Sequence, residues 1–401
     1  PSVHSALRIE LTGRLSVPAL TAALDQLVRR HPALRTRLVE RGGELVQEVL
    51  AHRPLTVGVT DVAASGVERW AVETGRVAFD DSGPLLRAAL ARVDDERWSL
   101  LVVIHHLAAD GWSMLRLVEE LGETYPAALA GRPPRLEPVE ASYADYARHQ
   151  RATPPDPEVL GYWRRQLAGA PGELLLPTDR PRPARSRRGT EASFVVPADV
   201  TARLVALAKG AKTTLFPVVA AGYAVLLARL AGVDEIVLGC PYAHRAGRAH
   251  ESVVGLFAAV MPVRLPVRPS ASFTELVLAA DATILDAVRH QPAHMAQINR
   301  EIDPDWRPGR PPPVAPSVFA WNPAMPELAL PGLTARLVDQ PLDCARRDLV
   351  TVLRPDGDTL VGAVEYATDL FDADTVADWC DRYVRLLDVA GRDPDRPLGP
   401  G

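Results

Sequence analysis

The stretch SLLVVIHHLAADGWSMLRLVEEL, Ser99–Leu121, decides how this chain is read. It opens as an apolar run, reaches two adjacent histidines, passes Asp110 and Gly111, and continues with apolar residues at helical spacing. Met114, Leu117, Val118, Leu121 and Tyr125 recur at three and four, which predicts a helix from Trp112 to Tyr125. Upstream, LLRAALARV, the turn DDER and WSLLVVIHH predict a β-hairpin. The histidines therefore stand at a strand-to-helix junction. Side chains alternate along a strand, so His105 and His106 are expected to face opposite ways, one inward and one toward an opening. Asp110 suits a helix N-cap. Gly111 allows a sharp turn and close approach of backbone to a ligand. The first N–H groups of the helix lack intrahelical partners and suit a developing negative charge.

Further out, LRIELTG alternates as a strand, and SVPALTAALDQLVRRHPALRTRLVE predicts a helix ending near Pro32, after which the chain extends. Leu176–Thr190, LPTDRPRPARSRRGT, carries six charged residues and three prolines and excludes regular structure. It is taken as the connection between an N-terminal lobe, 1–176, and a C-terminal lobe, 177–401. In the second half EASFVVP, EIVLGCPYA and DTLVGAVEYATDLF predict strands. ADVTARLVALAKGAKTTLFPVVAAGYAVLLARLAG predicts two helices, and Ala373 to Leu387 a last one. Pro304–Pro316 is a second proline-rich loop.

The 401 residues exceed one ordinary core, and the composition, 47% hydrophobic and 24% charged, is that of a globular protein. A net charge of -5 gives no basic footprint for nucleic acid. No apolar run reaches the ~20 residues of a membrane span, and no stretch resembles a signal peptide, so a cytoplasmic location is expected. Three widely spaced cysteines, Cys240, Cys344 and Cys380, favour neither disulfides nor a zinc site, and no metal-ligand spacing occurs. The chain opens on proline, as a piece of a longer protein would.

HHLAADG resembles the HHxxxDG signature of nonribosomal peptide synthetase condensation domains and related acyltransferases. Arg29–Leu38, RRHPALRTRL, resembles that family's RHxxLRT motif, Ser142–Gln150 its YxDYAxWQ motif, and Val253–Arg264, VVGLFAAVMPVR, its VGxFVNTxxxR motif. Arg289–Gln291, TDRPRP and EYATDLFD match further family phrases in the right order. Departures concentrate in the second half. Ala259 stands for Asn, Pro292 for Asp, HMAQIN for PFExLV, and RPGRPPPVAPSVFAWN for an RDxSRNPL-like stretch. These bear on substrate identity more than on chemistry, since the histidine motif is intact.

The resemblance implies an α/β (α+β) fold of two chloramphenicol-acetyltransferase-like lobes forming a V-shaped pseudo-dimer, with a channel between them. His106 is then the central residue, as general base toward an attacking amine or as the group that positions it; His105 and Gly111 belong to the same catalytic turn. Asp110 and Arg245 form a structural ion pair. Trp112, Ser113 and Trp321 are channel candidates, each with core packing or helix initiation as the alternative. No bound cofactor is implied, the substrates riding on phosphopantetheine arms of donor and acceptor peptidyl carrier proteins. The expected reaction is amide formation. Ester formation onto an alcohol and a non-catalytic recruitment module of the same fold stay open. So does the choice between a stand-alone enzyme and a domain with synthetase neighbours.

Overall fold

The computed structural model describes residues 4–79, 84–183, 188–245, 247–291, 293–307, 313–315, 317–345 and 347–399. Pro292 and parts of both proline-rich stretches lie outside them. In chain order the elements are β1 (His4–Gly13), α1 (Val17–Arg30), β2 (Thr36–Arg41), β3 (Glu44–Val49), β4 (Gly58–Asp61), α2 (Val67–Arg76), β5 (Leu86–Arg92), β6 (Arg97–His105), α3 (Gly111–Leu129) and α4 (Tyr143–Ala152). There follow α5 (Pro157–Gln166), β7 (Gly189–Val196), α6 (Ala198–Gly210), α7 (Leu215–Ala231), β8 (Glu235–Ala243), β9 (Ala258–Pro266), α8 (Phe273–Arg289) and α9 (Met295–Ile302). The last are β10 (Ser317–Trp321), β11 (Leu333–Asp339), β12 (Leu349–Asp356), β13 (Thr359–Ala367) and α10 (Ala373–Arg392).

The chain divides into two compact units. The first comprises Pro1–Thr153, Arg245–Ala258 and Met325–Asp343; the second takes the rest. The division at 176/177 expected from sequence differs from this in two ways. The change of unit comes at Pro154, and two later segments return to the first unit. The Pro/Arg-rich stretch is not a link between units. It is laced to the second: Asp179 N–H donates to Leu370 O at 2.9 Å, and Arg182 pairs with Asp348 at 2.6 Å. Charged groups on a proline-stiffened chain find partners there that a free linker lacks.

In the first unit a five-stranded sheet runs β11-β1-β6-β5-β4. The central strand β6 is covered on both faces, which explains its unbroken apolar run. Leu100, Val102 and Ile104 join Leu20, Leu24 and Leu27 of α1 and Leu117, Leu121 and Tyr125 of α3 in one core. Leu101 and Val103 pack on Ala71 of α2 instead. β5 and β6 pair antiparallel as the hairpin pattern requires, Leu86 opposite Ile104. The edge strand β11 comes from far along the chain, with Arg336 opposite Glu10 in register and 326 residues away in sequence.

The second unit holds a six-stranded sheet, β7-β13-β12-β10-β8-β9, in which β8, β10 and β12 run parallel. Helix α7 is apolar on all sides up to Arg229 in its last turn and accordingly lies inside the core. Among the described residues no single helix is long and apolar enough to cross a membrane; α6 and α7 reach the required length only together and are bent by 112°.

Candidate active site

Strand β6 ends at His105, whose backbone N–H still donates to Leu85 O at 2.9 Å. His106 is already in a turn, so strand alternation does not separate the two rings as the sequence implied. Two hydrogen bonds of the turn do. His105 Nδ1 accepts from Leu107 N–H at 3.1 Å, and His106 Nδ1 lies 2.8 Å from Ala109 O. A backbone N–H can only donate and a carbonyl oxygen only accept. His105 Nδ1 therefore bears a lone pair and His106 Nδ1 a proton. In the neutral rings the remaining nitrogens have opposite character: His105 Nε2 is the N–H, and His106 Nε2 is the basic nitrogen. Burial, then the neighbouring charges of His4 and His106, hold the pKa of His105 below the usual histidine range. Ala108 and Ala109 are buried in the α1/α3 core.

Asp110 caps α3 and does far more. Its Oδ1 accepts from Ser113 N–H at 2.9 Å and lies 3.0 Å from Arg245 Nη2. Its Oδ2 accepts from the backbone N–H groups of Phe257 and Ala258, both at 3.0 Å. The carboxylate and guanidinium are each almost wholly buried. Arg245 also donates to Val253 O at 2.6 Å and His250 O at 2.7 Å, and its guanidinium carbon lies 4.2 Å from the Phe257 ring centroid. Burial pulls the Arg245 pKa down while Asp110 pulls it up; guanidinium stays charged in either case.

Ser113 is 0% exposed, so it does not line an open passage. Its hydroxyl is a hub, accepting from Gly255 N–H at 3.1 Å and Arg245 Nη2 at 3.0 Å, with Asp110 Oδ1 and Gly255 O within reach of its one proton. Trp112 is 43% exposed rather than packed in a core, and its indole N–H donates to Glu251 O at 3.0 Å. Gly111 is exposed and is the first helical residue of α3, with no left-handed φ; the sharp turn falls before it. Trp321 ends β10 in the second unit, half-buried against that unit's core.

Three sequence motifs meet at Asp110. Tyr143 of the YADY stretch donates to Leu256 O at 2.9 Å, and its ring lies so close to Gly255 that a Cβ there would stand 2.4 Å from Cδ2. Tyr143, Tyr146 and His250 surround Phe257 with ring centroids 4.6 to 5.6 Å away. The parts played by Tyr143 and Gly255 in this packing are not readable in sequence, because the two residues are more than a hundred positions apart and neither stretch carries a periodic signal. The RRHPALRT motif serves α3 elsewhere: Arg30 and His31 reach the buried Glu120 at 3.2 and 2.7 Å. Among the described residues no three His, Cys, Asp or Glu side chains gather as metal ligands.

The family model of the condensation domain matches residues 2–400. The chain belongs to the condensation domain family. Condensation domains are amide-forming acyltransferases of nonribosomal peptide synthesis. This condensation domain is 35% identical over 408 residues to a probable non-canonical nonribosomal peptide synthetase, CymA, of Salinispora arenicola, covering 99% of the chain and 5% of that protein. It is 34% identical over 411 residues to the phosphinothricin tripeptide synthetase PhsB of Streptomyces viridochromogenes, covering 99% of the chain and 34% of PhsB. The chain thus spans a minor part of the curated relatives it matches. Among solved structures it resembles the X-domain from teicoplanin biosynthesis with a TM-score of 0.88 and 27% identity, over 98% of this chain and 92% of that one. The condensation domain has the two-lobed, chloramphenicol-acetyltransferase-like mixed α/β fold.

Proposed function

We propose that this domain joins an acyl or peptidyl donor, held as a thioester on one carrier protein's phosphopantetheine arm, to the amine of an aminoacyl group on a second carrier. The new bond is C–N, the C–S bond breaks, the pantetheine thiol leaves, and the amine loses one proton. The observation that carries this reading is the His106 Nδ1 bond to Ala109 O, which makes Nε2 the basic nitrogen. An imidazole so held either takes the amine's proton or aligns its lone pair on the thioester carbonyl. His105 shapes the turn. Gly111, first in α3, brings a backbone N–H with no intrahelical acceptor and the positive end of the helix dipole, suited to the carbonyl oxygen as it gains charge. Trp112 lends its exposed ring to the substrate side. Asp110 and Arg245 keep α3 and the 245–258 segment in place. The partners are donor and acceptor carrier proteins and neighbouring synthetase domains, working in the cytoplasm.

A single assay tests this. Donor-loaded carrier is mixed with a carrier-bound amine and, separately, with a free alcohol. Wild type is expected to give amide, with a fall of about 10²–10⁴-fold in His106→Ala and no loss of folding stability. Ester from the alcohol alone, or carrier binding without either product, overturns the reading.

A further inference from the structure

Three aromatic rings gather where β1 and β6 meet the turn. His4 stands opposite His105 in the β1–β6 register, their ring centroids 5.9 Å apart. Phe79 presents an edge contact to each, at 4.9 Å from His4 and 6.0 Å from His105. Each ring is fixed from behind. His4 is buried, and its Nδ1 donates to Gly75 O at 3.0 Å. Phe79 carries the Arg87 guanidinium 4.9 Å from its centroid, and Arg87 Nη2 donates to Thr74 O at 3.1 Å and Val77 O at 2.8 Å. Beside them His105 takes the orientation in which Nδ1 receives the Leu107 N–H. If that ring rotates, the turn loses the side-chain bond that holds Leu107 and keeps only the backbone bond from Ala108 N–H to His105 O, so the geometry that commits His106 Nδ1 to Ala109 O loosens with it.

We propose that His4 is a positioning residue for acyl transfer: with Phe79 it locks the His105 ring against Leu107 N–H, and so fixes the turn from which His106 works. This rests on the reading of His106 given above. A loosened turn misplaces the imidazole by a fraction of an ångström to about 1 Å, for which losses of roughly 10–100-fold are typical.

The test is nitrogen-15 NMR of the histidine rings in the whole domain, with Leu107 amide exchange and steady-state kinetics beside it. Wild type should show His105 as the Nε2–H tautomer and His106 as the Nδ1–H tautomer. His4→Ala removes ring and donor. His4→Gln keeps an N–H for Gly75 O but removes the ring, and decides the matter if the alanine variant does not fold. Both should lose the single His105 tautomer, exchange Leu107 faster and lower kcat by roughly 10–100-fold with KM for the loaded donor little changed. His4→Phe should restore part of the tautomer signal and of the rate. Wild-type ring signals and Leu107 protection in both the alanine and glutamine variants overturn the proposal, whatever the rate does. The ring signals need no substrate, so they judge His4 separately from the His106→Ala assay, which judges the reaction.

Discussion

Asp110 and Glu120 are two buried carboxylates on one helix, the first capping α3 and the second near its middle. Their partners differ in kind. Asp110 draws donors from 3 to 148 residues away, including three backbone N–H groups and the buried guanidinium of Arg245. Glu120 is held by Arg30 and His31 at the end of the neighbouring helix. Arg30 also has a second acceptor in Glu137 O. The guanidinium of Arg245, almost wholly buried with Asp110, cannot give up its charge. Removing Asp110 therefore strands charge and amides at the meeting point of three chain segments, whereas removing Glu120 frees groups with an alternative. One carboxylate builds the site, and the other staples two helices beneath it.

The largest expected effect follows from that contrast. Asp110→Ala should cost about 3–5 kcal/mol in denaturant unfolding and abolish acyl transfer, because it breaks one side of a buried ion pair. A variant that melts like wild type while inactive would make Asp110 a reacting group instead. Gly255→Ala attacks the same network without touching a charge. Its Cβ would meet the Tyr143 ring at 2.4 Å, so a loss of about 1–3 kcal/mol is expected, with activity falling alongside. Glu120→Ala should cost less than Asp110→Ala, about 1–3 kcal/mol, with turnover of the folded fraction retained. Equal costs for the two carboxylates would erase the distinction.

The smallest effect is in pH. Burial pushes the Glu120 pKa up, but the hydrogen bonds and charges of His31 and Arg30 outweigh it and leave the pKa below the ordinary glutamate value. A folded-state pKa below the unfolded one contributes stability above the unfolded range and loses it as pH falls through the folded value. Stability measured from ~pH 6 down to ~pH 3 should therefore decline less steeply in Glu120→Gln than in wild type. Parallel curves would show that Glu120 carries no share of the acid sensitivity.

What the sequence made legible was local. The β5–β6 hairpin follows from two alternating runs around DDER, and α3 from apolar spacing after an N-cap. The motif residues His105, His106, Asp110 and Gly111 could be singled out because they fall within one seven-residue stretch. What stayed hidden was non-local. Nothing in LTARLVD announces that it will pair with β1, and no periodicity in Arg245–Ala258 marks it as part of the first unit; only the resemblance, through the expected Asp110–Arg245 pair, tied that segment to the histidine motif. Strand periodicity also runs one residue too far: it continues through His106, whereas the Leu107 N–H turns onto His105 and the strand ends there.

The late arrival of β11 has a consequence for the chain's synthesis. A ribosome must deliver residue 339 before β1 gains its outer neighbour, and residue 258 before Asp110 finds its last amide. Until then the nascent first unit waits with an open sheet edge and an unneutralised carboxylate. A chain truncated after residue 176 would be frozen in that state, prone to pair with whatever strand it met first.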